Sequence, residues 1–136
     1  MPGPPTPILG LTVPTVGGDG GLWGTELNTD LAILDNLGAV SVVSTSANLS
    51  AAIPIFPEAV IKATGGVGGI TITLPNPSLC SGKVFTVKKV DAGVGVVTIV
   101  PAVGLIDGAA SYIRGSQYQY GRFLSDGTNY NVIGNN

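Results

Sequence analysis

The stretch GGITITLPNPSLCSGKVFTVKKVDAGVGVVTIV, residues 68–100, decides the fold class. Within it Ile70, Ile72 and Leu74 alternate with Thr71 and Thr73, the period of two that turns one strand face to a core and the other to water. PNPSLCSG (75–82) reads as loop. KVFTVKKV (83–90) and VVTIV (96–100) read as strands, and the glycine-bearing DAGVG (91–95) between them predicts a hairpin. Upstream, EAVIKAT (58–64) is the expected first strand of the domain, with GGVGG (65–69) a flexible turn. Downstream, Ile106-Asp107-Gly108 is a turn signal, and Tyr112 and Ile113 lie in a short extended piece. QYQYGRFL (117–124) is expected to pair with NYNVI (129–133) through SDGT (125–128) as a terminal hairpin. Strands at this spacing with little helical pattern predict a mainly β chain, an antiparallel β-sandwich or small barrel, rather than βαβ units.

The front of the chain reads differently. Residues 1–21 hold five prolines and six glycines and form an expected extended arm, with Pro4, Pro5, Pro7, Ile8 and Leu9 as its anchoring residues. LWGTELNTDLAILDNLG (22–38) has the pattern of one short amphipathic helix: Thr25 as N-cap, Glu26 in the first turn, Gly38 as stop. Trp23, Leu27, Leu31, Leu34 and Leu37 make its apolar stripe, while Asn28, Asp30 and Asp35 fall outside it. A helix of about 12 residues is marginal alone in water, so the stripe has to be buried, against its own β domain, sister chains or another protein. Residues 39–45 (AVSVVST) are an extended pairing segment and 47–57, with Pro54 and Pro57, a linker. The expected organisation is thus an arm (1–21), a helix (22–38), an extended segment and linker (39–57) and a β domain (58–136).

Composition excludes several classes. Charged residues make up 10% of the chain, apolar residues 44%, and mean hydropathy is +0.45, a profile of surface hidden against neighbours. The most apolar run, 93–106, is too short to span a bilayer and is interrupted by Thr98 and Pro101, so no membrane insertion is expected. No Lys or Arg precedes Lys62, so no basic leader of a secretory signal is read. Cys80 is the sole cysteine and is read as core filler. Residues 1–61 carry five acids and no base, whereas 62–136 carry six bases and three acids. That asymmetry gives weak electrostatic steering at physiological salt.

Catalysis finds little to work with. There is no histidine, no GxSxG elbow, and neither GGDGG nor GGVGG is followed by the Lys-Ser/Thr of a phosphate loop. No enzyme activity, metal or cofactor is expected. Lys83, Lys88 and Lys89 near Phe85 read as solvated strand-face charges, and with a net charge of −2 no nucleic-acid partner is expected.

Two sets of residues carry a resemblance. Trp23, Gly24, Leu27, Asn28, Leu31, Leu34 and Asp35 fit a Trp-Gly-x-x-Leu-Asn-x-x-Leu-x-x-Leu-Asp pattern. Further on, Thr73-Leu74-Pro75, Lys83-Val84, Thr86-Val87-Lys88-Lys89-Val90-Asp91, Thr98-Ile99, Ile106-Asp107-Gly108-Ala109 and Ser125-Asp126-Gly127-Thr128-Asn129-Tyr130 occur in order. Together these resemble tail-fibre and other virion appendage proteins of tailed bacteriophages, over most of residues 22–133. The resemblance implies a trimeric, β-rich, non-catalytic virion structural protein, made in the host cytoplasm and placed on the virion surface. The chain lacks a long shaft, so a short head fibre or capsid-decoration protein is the first expectation. Its partners would be sister chains and a major capsid, neck or tail protein. The alternative is a receptor-binding tip of a tail fibre contacting host-surface glycans, for which Tyr118, Tyr120 and Tyr130 are the candidate contacts. Aromatic residues on a strand face serve more often as packing.

Overall fold

The computed structural model describes residues 28, 31, 32, 40–55 and 57–136. The chain forms two compact units, Met1–Ala39 and Val40–Asn136. In the first, Asn28, Leu31 and Ala32 are helical and exposed; Trp23, Leu27, Leu34, Leu37 and the arm residues Pro4, Pro5, Pro7, Ile8 and Leu9 lie outside the described residues.

Among the described residues the regular structure of the second unit is all β apart from one short 3-10 turn, Pro77–Leu79. Its strands are β1 (Ser41–Thr45), β2 (Leu49–Ser50), β3 (Glu58–Ala63), β4 (Ile70–Leu74), β5 (Val84–Lys89), β6 (Val97–Pro101), β7 (Tyr112–Arg114), β8 (Tyr120–Ser125) and β9 (Tyr130–Asn135). They make two mixed sheets, β1-β3-β5-β8-β9 and β2-β4-β6-β7, neither of which closes into a barrel.

The first six strands alternate between the sheets, so the chain returns to each sheet travelling in the same direction. Hence β1, β3 and β5 pair in parallel, as do β2, β4 and β6, with Ser41 opposite Ala59, Ala59 opposite Phe85 and Ile70 opposite Val97. A parallel pair needs a crossover, and here a strand of the opposite sheet supplies it in place of a helix. The last three strands reverse the sense: β7 pairs with β6, β8 with β5, and β9 with β8, all antiparallel.

Three expectations are corrected by this topology. The sheets are not antiparallel throughout, because the coil of six strands is parallel. Residues 83–90 and 96–100 do not form a hairpin: β5 and β6 lie in different sheets, and DAGVG carries the chain across. Residues 47–57 are not simply a linker, since β2 lies among them and pairs with β4 within the body, while 41–45 pair with β3 as the expected extended segment. The terminal hairpin is present as β8–β9, with a register shift at Arg122/Phe123. Asp107 and Gly108, both at positive φ, turn the chain between Ile106 and Ala109, whose backbone groups exchange two hydrogen bonds of 2.8 Å.

Both sheets feed one core. Ala59, Ile61, Ala63, Phe85, Val87 and Phe123 come from the five-stranded sheet, and Ile70, Ile72, Leu74, Val97 and Ile99 from the other. Full burial of a large aliphatic or aromatic side chain contributes about 1.5–3 kcal/mol. The alternating residues Thr71, Thr73, Thr86 and Thr98 are only partly covered, as the period of two requires.

The corners joining the sheets are close-packed rather than flexible. Residues 64–69 and 91–96 stack on one another: Gly95 N–H donates to Gly66 O at 2.9 Å, Ile70 N–H to Val96 O at 3.0 Å, and Val90 N–H to Ala63 O at 2.9 Å. A Cβ on Gly65 would strike Gly95 O, and one on Gly95 would strike Gly69 N. Glycine is therefore required there by backbone approach. Lys89 fastens the stack. Its ammonium, fully enclosed, donates to Asp91 Oδ1 (2.7 Å), Asp91 O (2.9 Å) and Gly93 O (3.0 Å). The Asp91 carboxylate in turn accepts from the N–H groups of Gly65, Gly66 and Gly93. The Lys89 ammonium, then those three N–H groups, hold the Asp91 carboxyl well below its usual range, against the opposing effect of burial. Lys89 is thus a buried structural cation and not the solvated charge expected from sequence.

Candidate functional site

The two sheets of the body are finished differently at their two ends. At the far end β9 carries a register shift and β7 is only three residues long, both devices that discourage a further strand from adding. At the near end β2 is only two residues long, but β1 runs SVVST over five residues, with no lysine, proline or irregularity, and among the described residues pairs with β3 along one side only. β-branched side chains favour the extended form, and the β1–β3 register is unbroken, so this edge is suited to further pairing.

That end is also apolar. Val42 is 60% exposed, and Val40, Val43, Ile53 and Ile55 are exposed beside it. Val43 pairs with Ile61, whose side chain is in the core, so Val43 sits on the core face; Val42 pairs with Val60 and sits on the outer face. Between the sheets the first coil leaves a cavity of about 320 Å³, lined by Val43, Leu49, Ala51, Ile53, Ile55 and Ile61 among others. The segment beyond β2 is pinned to the body by Ala51 N–H donating to Thr73 O (2.8 Å) and by Lys83 Nζ donating to Ile55 O (2.9 Å). A preformed apolar opening beside an unprotected strand edge is a surface suited to protein contact. Residues 1–39 join the body at Val40, the residue that enters β1.

The carboxylate side chains of the body are committed to structure. Glu58 Oε1 accepts from Thr86 Oγ1 at 2.6 Å, and Glu58 Oε2 faces Arg122 Nη2 at 3.2 Å. Asp126 caps the β8–β9 turn, accepting from the Asn129 and Thr128 N–H groups and from Asn131 Nδ2. These bonds, that to Asn129 first, lower its pKa. Cys80 is buried with its sulfur 3.2 Å from Tyr130 Oη, and Tyr130 Oη donates to Pro75 O at 2.9 Å. Among the described residues no three His, Cys, Asp or Glu side chains converge as metal ligands, and no helix is long and apolar enough to cross a membrane.

The sequence-predicted residues fall in three places. Leu31, from the apolar stripe, is 46% exposed. Tyr130 is fully enclosed, edge-on to Phe85 at 6.0 Å, so it packs the core and presents no face to a sugar. Tyr118 and Tyr120 do not share a strand face: Tyr120 begins β8, half-buried, while Tyr118 lies in the preceding loop at φ 66° and is 58% exposed. Sequence reasoning missed the apolar near end, although its signal was there in the uninterrupted SVVST and in Ile53 and Ile55 flanking a proline. No protein-family model, no curated protein and no solved structure matches this chain.

Proposed function

We propose that the chain is a non-catalytic structural protein of a tailed-bacteriophage virion, a short head fibre or decoration protein that acts as a homotrimer. The observation that carries assembly is the near end of the body, where an unprotected β1 edge meets an open apolar cavity. Covering it with sister copies removes Val42, Val43, Ile53 and Ile55 from water, at about 25 cal/mol per Å² of apolar surface buried. A closed ring of copies also leaves no edge free for open-ended growth. The count of three and the virion setting rest on the resemblance of the Trp23-to-Asp35 pattern and the ordered motifs of the β body. In this reading residues 1–38 attach the trimer to a major capsid, neck or tail protein, and the β body faces outward.

The experiment is mass spectrometry of purified virions carrying the full chain or a chain lacking residues 1–38. The full chain is expected in copy numbers divisible by three, and the truncated chain is expected to be left behind. Undiminished incorporation of the truncated chain would overturn the attachment role, and absence of the full chain from virions would overturn the setting. A second reading, contact with host-surface glycans, is favoured by the exposed ring of Tyr118.

A further inference from the structure

The geometry points to a binding site for an acidic sugar on the outer face of the five-stranded sheet, built from Lys62, Lys88 and Tyr118. It rests on the glycan-contact reading and is independent of the assembly role. The register of the sheet brings Ser44, Lys62, Lys88 and Tyr120 into one row across β1, β3, β5 and β8. Their inward neighbours Ala63 and Lys89 are buried, so by alternation Lys62 and Lys88 point outward together. Strands lie about 4.8 Å apart, and like charges directly opposite one another are unfavourable.

The Lys88 ammonium lies against the Tyr118 ring, and among the described residues neither Lys62 nor Lys88 has a carboxylate side chain as ion-pair partner. Each described carboxylate is engaged elsewhere: Glu58 with Thr86 and Arg122, Asp91 with Lys89 and the corner, Asp107 with Val132 N–H, and Asp126 with its own turn. An anionic group from outside supplies the missing charge.

Tyr118 supplies the second element. Its ring lies with Lys88 Nζ 5.4 Å from the centroid, leaving most of the side chain in solvent. Its backbone is in the left-handed region that favours glycine, a conformation kept by surrounding bonds. Tyr118 N–H donates to Lys89 O at 2.7 Å, Gln117 Nε2 to Val90 O at 3.2 Å, and Gln119 Oε1 accepts from the N–H groups of Gly115 and Ser116. An aromatic ring held in this way beside the Lys88 ammonium, with Lys62 the next residue in the row, matches a saccharide ring carrying a carboxylate or phosphate: the sugar stacks on Tyr118 and its acidic group lies against Lys88 and Lys62.

The test is an amide-resolved NMR titration of the full ¹⁵N-labelled chain with glucuronic acid, glucose 6-phosphate, glucose and inorganic phosphate. At least one of the two acidic sugars is expected to shift the amides of Lys62, Lys88 and Tyr118, with glucose at least about tenfold weaker. Which acidic sugar binds distinguishes a carboxylate source from a phosphate source. K62Q/K88Q is expected to weaken binding at least about tenfold and to abolish the preference over glucose. Tyr118→Gly, which suits the backbone, is expected to leave the body's spectrum folded and to weaken the acidic sugar. The proposal is overturned if neither acidic sugar shifts these amides below about 50 mM. It is equally overturned if inorganic phosphate binds as well as glucose 6-phosphate while glucuronic acid does not bind, or if either variant binds undiminished. A monomeric chain that still binds would overturn the assembly reading and leave this one standing.

Discussion

Replacing Lys89 with methionine removes one ammonium and little volume, so its cost is that of lost polar partners rather than of a cavity. The side chain is fully enclosed, and its three acceptors all belong to the corner that carries the chain from β5 to β6. After the change Asp91 O and Gly93 O lose a donor and the carboxylate loses its counter-ion. Breaking a buried pair by removing one partner costs about 3–5 kcal/mol. The low end applies, because Asp91 is 20% exposed and keeps the Gly65, Gly66 and Gly93 N–H groups. A loss of about 3 kcal/mol in a body of roughly 100 residues lowers Tm by about 12–24 °C. Lys88→Met, one position along on the outer face, is expected to change stability by less than about 0.5 kcal/mol. Thermal and urea unfolding of the two variants at pH 7 measure the contrast. Acid supplies a second readout: the folded pKa of Asp91 is depressed, so its contribution is complete above the unfolded carboxyl value of 3.8 and is lost as pH falls below it. Lys89→Met removes the largest cause of that depression and should flatten the acid limb. Equal stability of Lys89→Met and Lys88→Met would refute the reasoning.

The stacked corners predict a second contrast. Gly95→Ala places a Cβ against backbone atoms of Gly65 and Gly69 and is expected to cost at least about 1–3 kcal/mol, whereas Gly68→Ala meets nothing within 4 Å and is expected to be neutral or slightly stabilising; urea midpoints decide it. At alkaline pH, burial, then the neighbouring Cys80, holds the Tyr130 phenol well above its usual value of 10.0. The folded state keeps that proton after the unfolded state has lost it, so stability should fall as pH rises through 10.0. Tyr130→Phe should lose about 1 kcal/mol at pH 7, from the bond to Pro75 O, and show a shallower alkaline decline.

Much of this fold is legible where a pattern is local. Ile70, Ile72 and Leu74 announce a strand by alternation, Asp107-Gly108 announces a tight turn by its tolerance of positive φ, and SDGT announces the β8–β9 hairpin. Sheet membership is not local. The pattern strand, glycine corner, strand in residues 83–100 is the same whether the corner turns back in one sheet or crosses to another. What separates the two is that Gly65 and Gly95 must meet, thirty positions apart. Lys89 obeys the same logic: in KVFTVKKV its position is inward by alternation, but a lysine there reads as solvated until the three acceptors of the corner are in place. Tyr130 is legible as an aromatic and misread as a contact, because its outlet, Pro75 O, is distant in sequence. The near-end opening depends on SVVST lying at an edge, which only strand order reveals.

The claim that copies of this chain close over the β1 end is tested most directly by sedimentation equilibrium of the purified full chain. A species of three times the 13.6 kDa chain mass is expected, shifting to the single-chain mass when Val43→Glu and Ile53→Glu place carboxylates in the opening while the unfolding transition persists. A wild-type chain that sediments at 13.6 kDa across the micromolar range would contradict it.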